Sequence, residues 1–524
     1  MIFFYGLGRL PFLGPDEPRY AQVAREMFAT GDWVTPRLGG IHWFEKPALT
    51  YWLSGAGYGL FGENEFGARA GIALLASLGV LMLYAFGRRR GSAEAGFGMA
   101  AVLATCAVWP GFGRGATFDL PLSVTMELAL LAFFLWEEER DRPRSDGWFY
   151  LFAFGLGLAL LAKGLAGVAL PAMIVAPYLL LTGGWRRLLH VRRLLLGGAI
   201  LFATAAIWYG PVIAANGREF IDEFFIGHHF QRYLTNKYRH PQPVWFFPVV
   251  VIAGSFPWTI YLLAELGRSI RMGRALLADR LRLFALLWLL APIVFFSFSG
   301  SKLPGYILPV FPAVALLIGR ELPRFRPWVG AATGALLVLT GIAVGALGGR
   351  ELAASGSELR IVAAAIVLAA MIYQIILGMR GMRAATWFLP VAIAALVITV
   401  THLLFPALGV RESIKPLALL ATQAAQPGER LVFFVNHDHG INFYATGLPL
   451  RDLKSELVTL VSPDEIGLLA AGSRSRSLLI LSRRRWLNGL LQTDKFRAES
   501  LGEQALGARC SPDCDWVLLR ASSR

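Results

Sequence analysis

Cysteine is nearly missing from this chain: Cys106 lies in an apolar run, and Cys510 and Cys514 lie near the end. A disulfide framework is therefore not what holds the protein together. The tail pair reads either as a Cys510–Cys514 bridge around a small loop or as two free thiols, and no further ligand pattern there supports zinc. No Gly-rich phosphate loop, serine nucleophile elbow or CxxC occurs, which leaves acids and bases as the carriers of any chemistry. Internal repeats and low-complexity tracts are also absent, so solenoid and disordered classes drop out. None of the apolar runs is a short one followed by a small-residue cleavage site, so none reads as a cleaved signal peptide.

What the chain has in quantity is apolar surface. At 56% hydrophobic residues it is too apolar for an ordinary soluble enzyme. Apolar runs long enough to cross a hydrocarbon core recur at 66–87, 93–110, 117–136, 147–162, 164–182, 194–216, 244–266, 283–299, 303–319, 327–347, 359–378 and 384–405. Met1–Gly14 is apolar but too short to span, while the polar segment after it needs an anchor. The expectation is a first membrane helix whose opening residues precede a misassigned start, giving a polytopic α-helical membrane protein of about 13 transmembrane helices. Residues 1–405 form the membrane domain on this reading, with a first outer loop at 14–65 carrying two short surface helices. Residues 406–524 form a small soluble α/β domain, because hydropathy falls after Pro406. Leu431–Val435, Ser477–Leu481 and Trp516–Leu519 read as strands, and Ser462-Pro-Asp-Glu465 as a capping box before an apolar helix.

The net charge of +15 follows from where arginine sits. Arg88–Arg90, Arg140–Arg144, Arg186–Arg193, Arg268–Arg282, Arg320–Arg326 and Arg380–Arg383 occupy alternate loops, which is the positive-inside pattern. The basic residues form no single face, so a nucleic-acid partner is not expected. The 16–65 segment, the 111–118 loop, the Lys163 turn, the 217–243 loop, the Ser301-Lys302 turn and the tail then share the opposite side. In a bacterium this is the periplasmic side of the inner membrane.

Lipid expels unpaired charge, so acids and bases gathered between apolar spans mark a candidate site. Asp16 and Glu17, with Arg19, open the first surface helix, and Asp119 opens a later span. Each acid also has a helix-capping reading, Asp16 as the N-cap with Pro18 in the first turn. Trp33, Trp43, Trp52 and Tyr51 read as interfacial aromatics. Glu45 and Lys46 set an acid beside a base, and Lys163 and Lys302 add two outward cations; each lysine has a snorkelling reading as well. The 217–243 loop holds His228, His229, Arg232 and Arg239. An arginine there suits a phosphate, since guanidinium pairs bidentately with its oxygens. Metal binding by histidine with Glu45 is the lesser reading, because adjacent histidines on a helix face apart. Asn436–Gly440 reads as a turn between strands before it reads as a metal site.

The ordered series DEPRYAQVAREM, GDWVTP, FEKPALTYW, RGATFDLPLS, LAKGLAGVALP, HHFQRY and SKLPGYILPVFP resembles the bacterial polyprenyl-phosphate-dependent glycosyltransferases of GT-C fold, in the 4-amino-4-deoxy-L-arabinose lipid A transferase family. The likeness runs from about Asp16 to Pro312, and Gly440–Tyr444 is similar, more weakly, to the soluble domain of that family. The resemblance implies an inverting transfer of a sugar from undecaprenyl phosphate to lipid A at the periplasmic face. It implies Asp16 and Asp119 as the essential acids. Lys46, Arg232 and Tyr306, with Lys163 and Lys302, would hold the lipid phosphate. Glu45 and His229 would stand beside them, where a divalent metal such as zinc binds in some members without being required; the doubled His228-His229 leaves that histidine ambiguous by one. No cofactor is expected. Partners are the lipid-linked donor, the acceptor and membrane lipids, and a monomer is expected, since no dimerisation seam is visible.

Three other readings compete. A protein O-mannosyltransferase-like enzyme would use a serine or threonine acceptor. A transporter of lipid-linked sugars would place charge near the midplane and show inverted repeats, neither of which is visible. A membrane scaffold leaves the outer acids without a purpose.

Overall fold

The computed structural model describes residues 2–139, 145–224, 241–351, 356–452, 457–473, 475–504 and 515–523. The chain is a multi-pass helical bundle followed by a small sheet domain. Helices α1 (Asp16–Thr30), α2 (Leu49–Phe61), α3 (Glu65–Arg90), α4 (Ala93–Thr105), α5 (Val108–Phe112), α6 (Asp119–Glu138), α7 (Asp146–Lys163), α8 (Ala166–Thr182), α9 (Trp185–Leu188) and α10 (Val191–Phe220) come first. Among the described residues seven helices are long and apolar enough to cross a membrane, and an eighth arises if one bent pair counts as a single span. That pair, Phe246–Gly254 and the helix from Thr259, turns by 119° and replaces the straight span expected at 244–266. The expected spans at 93–110, 164–182 and 303–319 correspond to shorter apolar helices. The last of these begins as a 3₁₀ turn through Pro304–Val310, where Pro309 has no N–H for an α-helical bond. The spans expected at 359–378 and 384–405 lie in one helical stretch, Gly356–Glu412, broken only at Gly381. Gly381 has φ 78°, which a residue with a Cβ adopts only under strain. The same helix carries the bundle past the boundary expected at 405.

The first outer segment differs from a pair of helices. Between α1 and α2 stands a hairpin, β1 (Arg37–Leu38) paired antiparallel with β2 (Ile41–His42). Its two-residue turn is Gly39-Gly40, both at positive φ, as a primed hairpin turn requires. Neither acid caps its helix. Pro15 and Phe118 occupy the N-cap positions of α1 and α6 without a side-chain cap bond, so Asp16 and Asp119 are first helical residues with free choice of partner. Residues 2–10 form turns rather than a helix. Arg69 and Arg114 pin them by donating to the backbone carbonyls of Leu7, Leu10, Pro11, Ile2 and Tyr5.

The basic loops meet at one end of the bundle. Glu137, Glu138 and Glu139 at the end of α6 pair with Arg187 and Arg280, Arg90, and Arg89 respectively. Nearby, Glu265, Asp279 and Glu321 pair with Arg268, Arg282 and Arg320. Sequence reading found the arginines and missed these acids, whose pairing makes a dense basic end tolerable. Arg140–Arg144 lie outside the described residues.

The tail domain is a five-stranded mixed sheet in the order β4 (Thr459–Leu460), β3 (Leu431–Phe434), β5 (Ser477–Arg483), β7 (Trp516–Ser522), β6 (Arg497–Gln504). Strands β3, β4 and β5 run parallel, and β7 is antiparallel to both β5 and β6. The three expected strands and the Ser462–Glu465 capping box are present. Strand β6 is charged and was not foreseen. Cys510 and Cys514 lie outside the described residues.

Candidate active site

At the end of the bundle opposite the arginine network, the acids stand on an aromatic floor. Tyr20 of α1, Tyr51 of α2 and Phe118 pack edge to face, with ring centroids 4.7 Å apart for Tyr20–Phe118 and 5.2 Å for Tyr51–Phe118. Tyr51 is fully buried, not an interfacial anchor as its sequence context suggested. Asp16 precedes this floor on α1 and Asp119 follows it directly after Phe118, so the packing of three rings sets the relation between two carboxylates from distant loops.

Asp16 is half-exposed and accepts from Arg19 at 2.6 Å. The Arg19 guanidinium lies over the Trp43 ring, 5.8 Å from its centroid. Burial works against that charge, but Glu45, Tyr20 and Asp16 together outweigh it and hold its pKa above the ordinary arginine range. Asp119 is paired with Lys163, whose ammonium also sits 5.1 Å from the centre of the Tyr306 ring. A Cβ on Gly305 would run into the Asp119 carboxylate, so glycine there is what lets the Gly305-Tyr306 turn close over the acid. Glu45 and Lys46 form a 2.7 Å ion pair and are mostly buried. Asp16, Arg19, Glu45, Lys46, Asp119, Lys163 and Tyr306 thus gather at one end.

Glu17 and Lys302 do not join them. Glu17 turns inward and takes a bidentate grip on Arg69, at 2.7 and 2.8 Å, while also accepting from the Ala116 N–H at 2.8 Å. It is the clasp between α1 and the loop that carries Asp119. Lys302 spends its protons on the carbonyls of Gln242 and Ser299, at 2.9 and 2.7 Å, and so fastens its own turn. His229 and Arg232 lie outside the described residues, with His228 and Arg239. Among the described residues no group of three potential metal ligands is assembled, and Glu45 already faces an ammonium. Sequence reading also missed an acidic flank: His42 bonds Glu219 at 3.0 Å, and Glu223 follows one turn later. Helical spacing of Glu219 and Glu223 beside the hairpin was the available signal.

The tail domain reaches this end too. Tyr444 accepts from the Phe12 N–H at 2.7 Å and donates to Glu65 at 2.8 Å, and Arg25 of α1 lies over the Phe443 ring at 4.2 Å. The Asn436–Gly440 segment leads from β3 into a short helix, Ile441–Tyr444, rather than into a second strand, and the Gly440 N–H donates to Asp438 at 2.7 Å. Burial, then Arg19, His437 and Arg451, push the pKa of His439 down to about 3.

The fold has counterparts among solved structures. Over 99% of the chain and 96% of the other, the structure superposes on crystalline ArnT from Cupriavidus metallidurans bound to undecaprenyl phosphate, with a TM-score of 0.81 and 26% identity. The apo form of that protein gives a TM-score of 0.78. In fold and in sequence the chain is similar to the ArnT-like GT-C glycosyltransferases. Residues 45–209 match the family described as dolichyl-phosphate-mannose-protein mannosyltransferase. The undecaprenyl phosphate-alpha-4-amino-4-deoxy-L-arabinose arabinosyl transferase of Erwinia tasmaniensis is 31% identical over 59% of this chain, and that of Enterobacter sp. strain 638 is 29% identical over 67%. These matches span 55% and 65% of the relatives' own lengths. The archaeal oligosaccharyltransferase AglB of Archaeoglobus fulgidus, 13% identical with a TM-score of 0.50, shares the GT-C fold alone. The expected fold class therefore holds at the level of a GT-C bundle with a small C-terminal sheet.

Proposed function

We propose that this ArnT-like protein moves 4-amino-4-deoxy-L-arabinose from undecaprenyl phosphate to a phosphate of lipid A, at the periplasmic face of a bacterial inner membrane. The observation that carries the reading is the meeting of Asp16 and Asp119 with Lys46 and Lys163 at the end of the bundle away from the arginine loops. Departure of a polyprenyl phosphate builds negative charge, and fixed cations at that point stabilise it most in the transition state. Lys46 and Lys163 are the described cations fit for that work, with Tyr306 against Lys163. Arg232 belongs to the same proposal by motif. A phosphate acceptor is already an anion at neutral pH and needs no general base. Asp16 and Asp119 then position the sugar, whose ammonium their charge attracts; an oxygen of the acceptor phosphate bonds to the anomeric carbon on the face opposite the undecaprenyl phosphate as that C–O bond breaks, so the anomeric centre inverts. No cofactor takes part, and a divalent ion beside Glu45 would be accessory.

The match of residues 45–209 to protein mannosyltransferases supports a second reading, with a protein hydroxyl as acceptor and one aspartate as general base. Mass spectrometry of lipid A decides between them, in a Gram-negative host that makes the donor but lacks its own transferase. Aminopentose on the lipid A phosphates, lost in Asp16→Asn, supports the first reading. Unmodified lipid A with the protein present in the membrane removes it and moves the search to protein acceptors.

A further inference from the structure

Buried polar atoms without a hydrogen bond are rare and call for an explanation. Three gather around the aromatic floor: the Tyr51 hydroxyl, Trp43 Nε1 and Thr117 Oγ1. Tyr51 belongs to the buried cluster that includes Tyr20, Ala116 and Phe118, Trp43 packs against it, and Thr117 lies between Ala116 and Phe118. The Tyr51 side chain is 0% exposed, yet its ring already has its neighbours in Tyr20 and Phe118. Phenylalanine would fill the same space without stranding a hydroxyl. Among the described residues that hydroxyl has no partner, and a bound ligand would supply one.

The surroundings say what kind of partner. After burial, Glu45 and Asp16 act on the Tyr51 hydroxyl to raise its pKa, so it stays a neutral donor close to both carboxylates. Indole N–H donates only, and the threonine hydroxyl both donates and accepts. A wall of neutral donors on an aromatic floor beside two acids suits a small ring bearing hydroxyls and an amine. It suits a phosphate less, since of the charges acting on Tyr51 the carboxylate of Glu45 weighs most, ahead of the Arg19 cation and then Asp16.

We infer that Tyr51, Trp43 and Thr117 form the hydrogen-bonding wall of the donor's sugar subsite, with the Tyr51 hydroxyl donating to an oxygen of the sugar ring or its substituents. This rests on the proposed transferase reading and adds neutral hydrogen-bonding side chains to the two acids that reading sets on the sugar.

The test uses the full-length protein in detergent and compares two ligands: undecaprenyl phosphate and the same lipid carrying the aminosugar. Wild type binds both, and the sugar adds affinity. Tyr51→Phe is expected to lose about 10-fold in affinity for the sugar-bearing lipid, the scale of one hydrogen bond, and nothing for the bare phosphate. Its melting temperature stays level or rises, because an unpaired buried hydroxyl has gone. Thr117→Val is expected to show the same split. Equal weakening for both lipids assigns Tyr51 to the phosphate and overturns the inference. So does a variant that binds both as wild type does, or one that melts earlier, as loss of a structural bond would make it. If wild type binds bare undecaprenyl phosphate but gains nothing from the sugar, the subsite is refuted while the lipid site stands. If it binds neither, the transferase reading itself falls.

Discussion

The clasp between Glu17 and Arg69 is the contact on which the site's geometry depends, and its removal has a size that can be worked out. Arg69 is 2% exposed and makes five bonds: two to the Glu17 carboxylate and three to the carbonyls of Leu7, Leu10 and Pro11. Glu17→Ala leaves that guanidinium buried with its counter-charge gone, and strips the Ala116 N–H of its acceptor. Breaking a buried pair from one side costs about 3–5 kcal/mol, and an orphaned buried N–H adds about 1–3 kcal/mol. Glu17→Ala is therefore expected to melt several degrees below wild type, followed by intrinsic tryptophan fluorescence in detergent. Turnover is expected to fall with it at temperatures where the protein is still folded, because the Ala116 loop carries Asp119. The charge argument has its own control. Glu17→Leu combined with Arg69→Met removes both charges, and apolar replacement of a whole buried pair is often close to neutral. The double variant should recover only part of the lost melting temperature, because the carbonyls of Leu7, Leu10 and Pro11 lose their donor, and none of the turnover, since the Ala116 N–H stays unpaired. A single variant that melts as wild type does, or a double variant less stable than either single one, would refute the reasoning.

Asp16→Asn and Asp119→Asn are each expected to cut transfer by more than about 100-fold, the scale of losing a charged group in the transition state, with melting unchanged; near-normal turnover in both would remove them from the site. Lys46→Ala is expected to weaken undecaprenyl phosphate binding by about 10–100-fold, as loss of a charge-assisted bond does, and an unchanged titration would place the phosphate elsewhere. His439 is held neutral in the fold down to about pH 3, whereas it takes a proton near pH 6.5 when unfolded. Between those values the unfolded chain binds the extra proton, so its contribution to stability is intact above pH 6.5 and erodes as pH falls. Wild type should lose about 1–2 kcal/mol more than His439→Gln between pH 7 and 5; parallel loss in the two would show that His439 is not the group responsible.

Much of the architecture was legible in one dimension because membrane physics acts on short windows of sequence. A span must be apolar over its whole length and a basic loop must stay on one side, so the helices and the alternation of arginines could be read residue by residue. The strands at Leu431, Ser477 and Trp516 were legible for a similar local reason, as apolar runs bounded by turn residues. The breaks were harder. The 119° bend after Gly254 and the merged helices around Gly381 depend on how neighbours pack, and hydropathy carries no record of that. Strand β6, rich in charge, is a strand because β7 offers it an edge.

The candidate site divides along the same line. Charge placed between apolar spans marked Asp16, Asp119, Lys46 and Lys163, and the family resemblance added Tyr306. Which acid pairs with which cation was decided only in three dimensions. Asp16 and Glu17 are neighbours in sequence, but a helix points them about 100° apart, so one faces the site and the other is buried against Arg69. Lys163 meets Asp119 and Lys302 meets two carbonyls, although both looked like outward cations in tight turns. Tyr51 looked like an interfacial anchor and became the buried floor of the site, because α1, α2 and the loop before α6 close over it. Residue type and spacing determine what chemistry a chain can offer at a membrane surface; the packing of distant helices determines which groups share a desolvated space, and there a single unpaired donor or charge carries its full electrostatic weight.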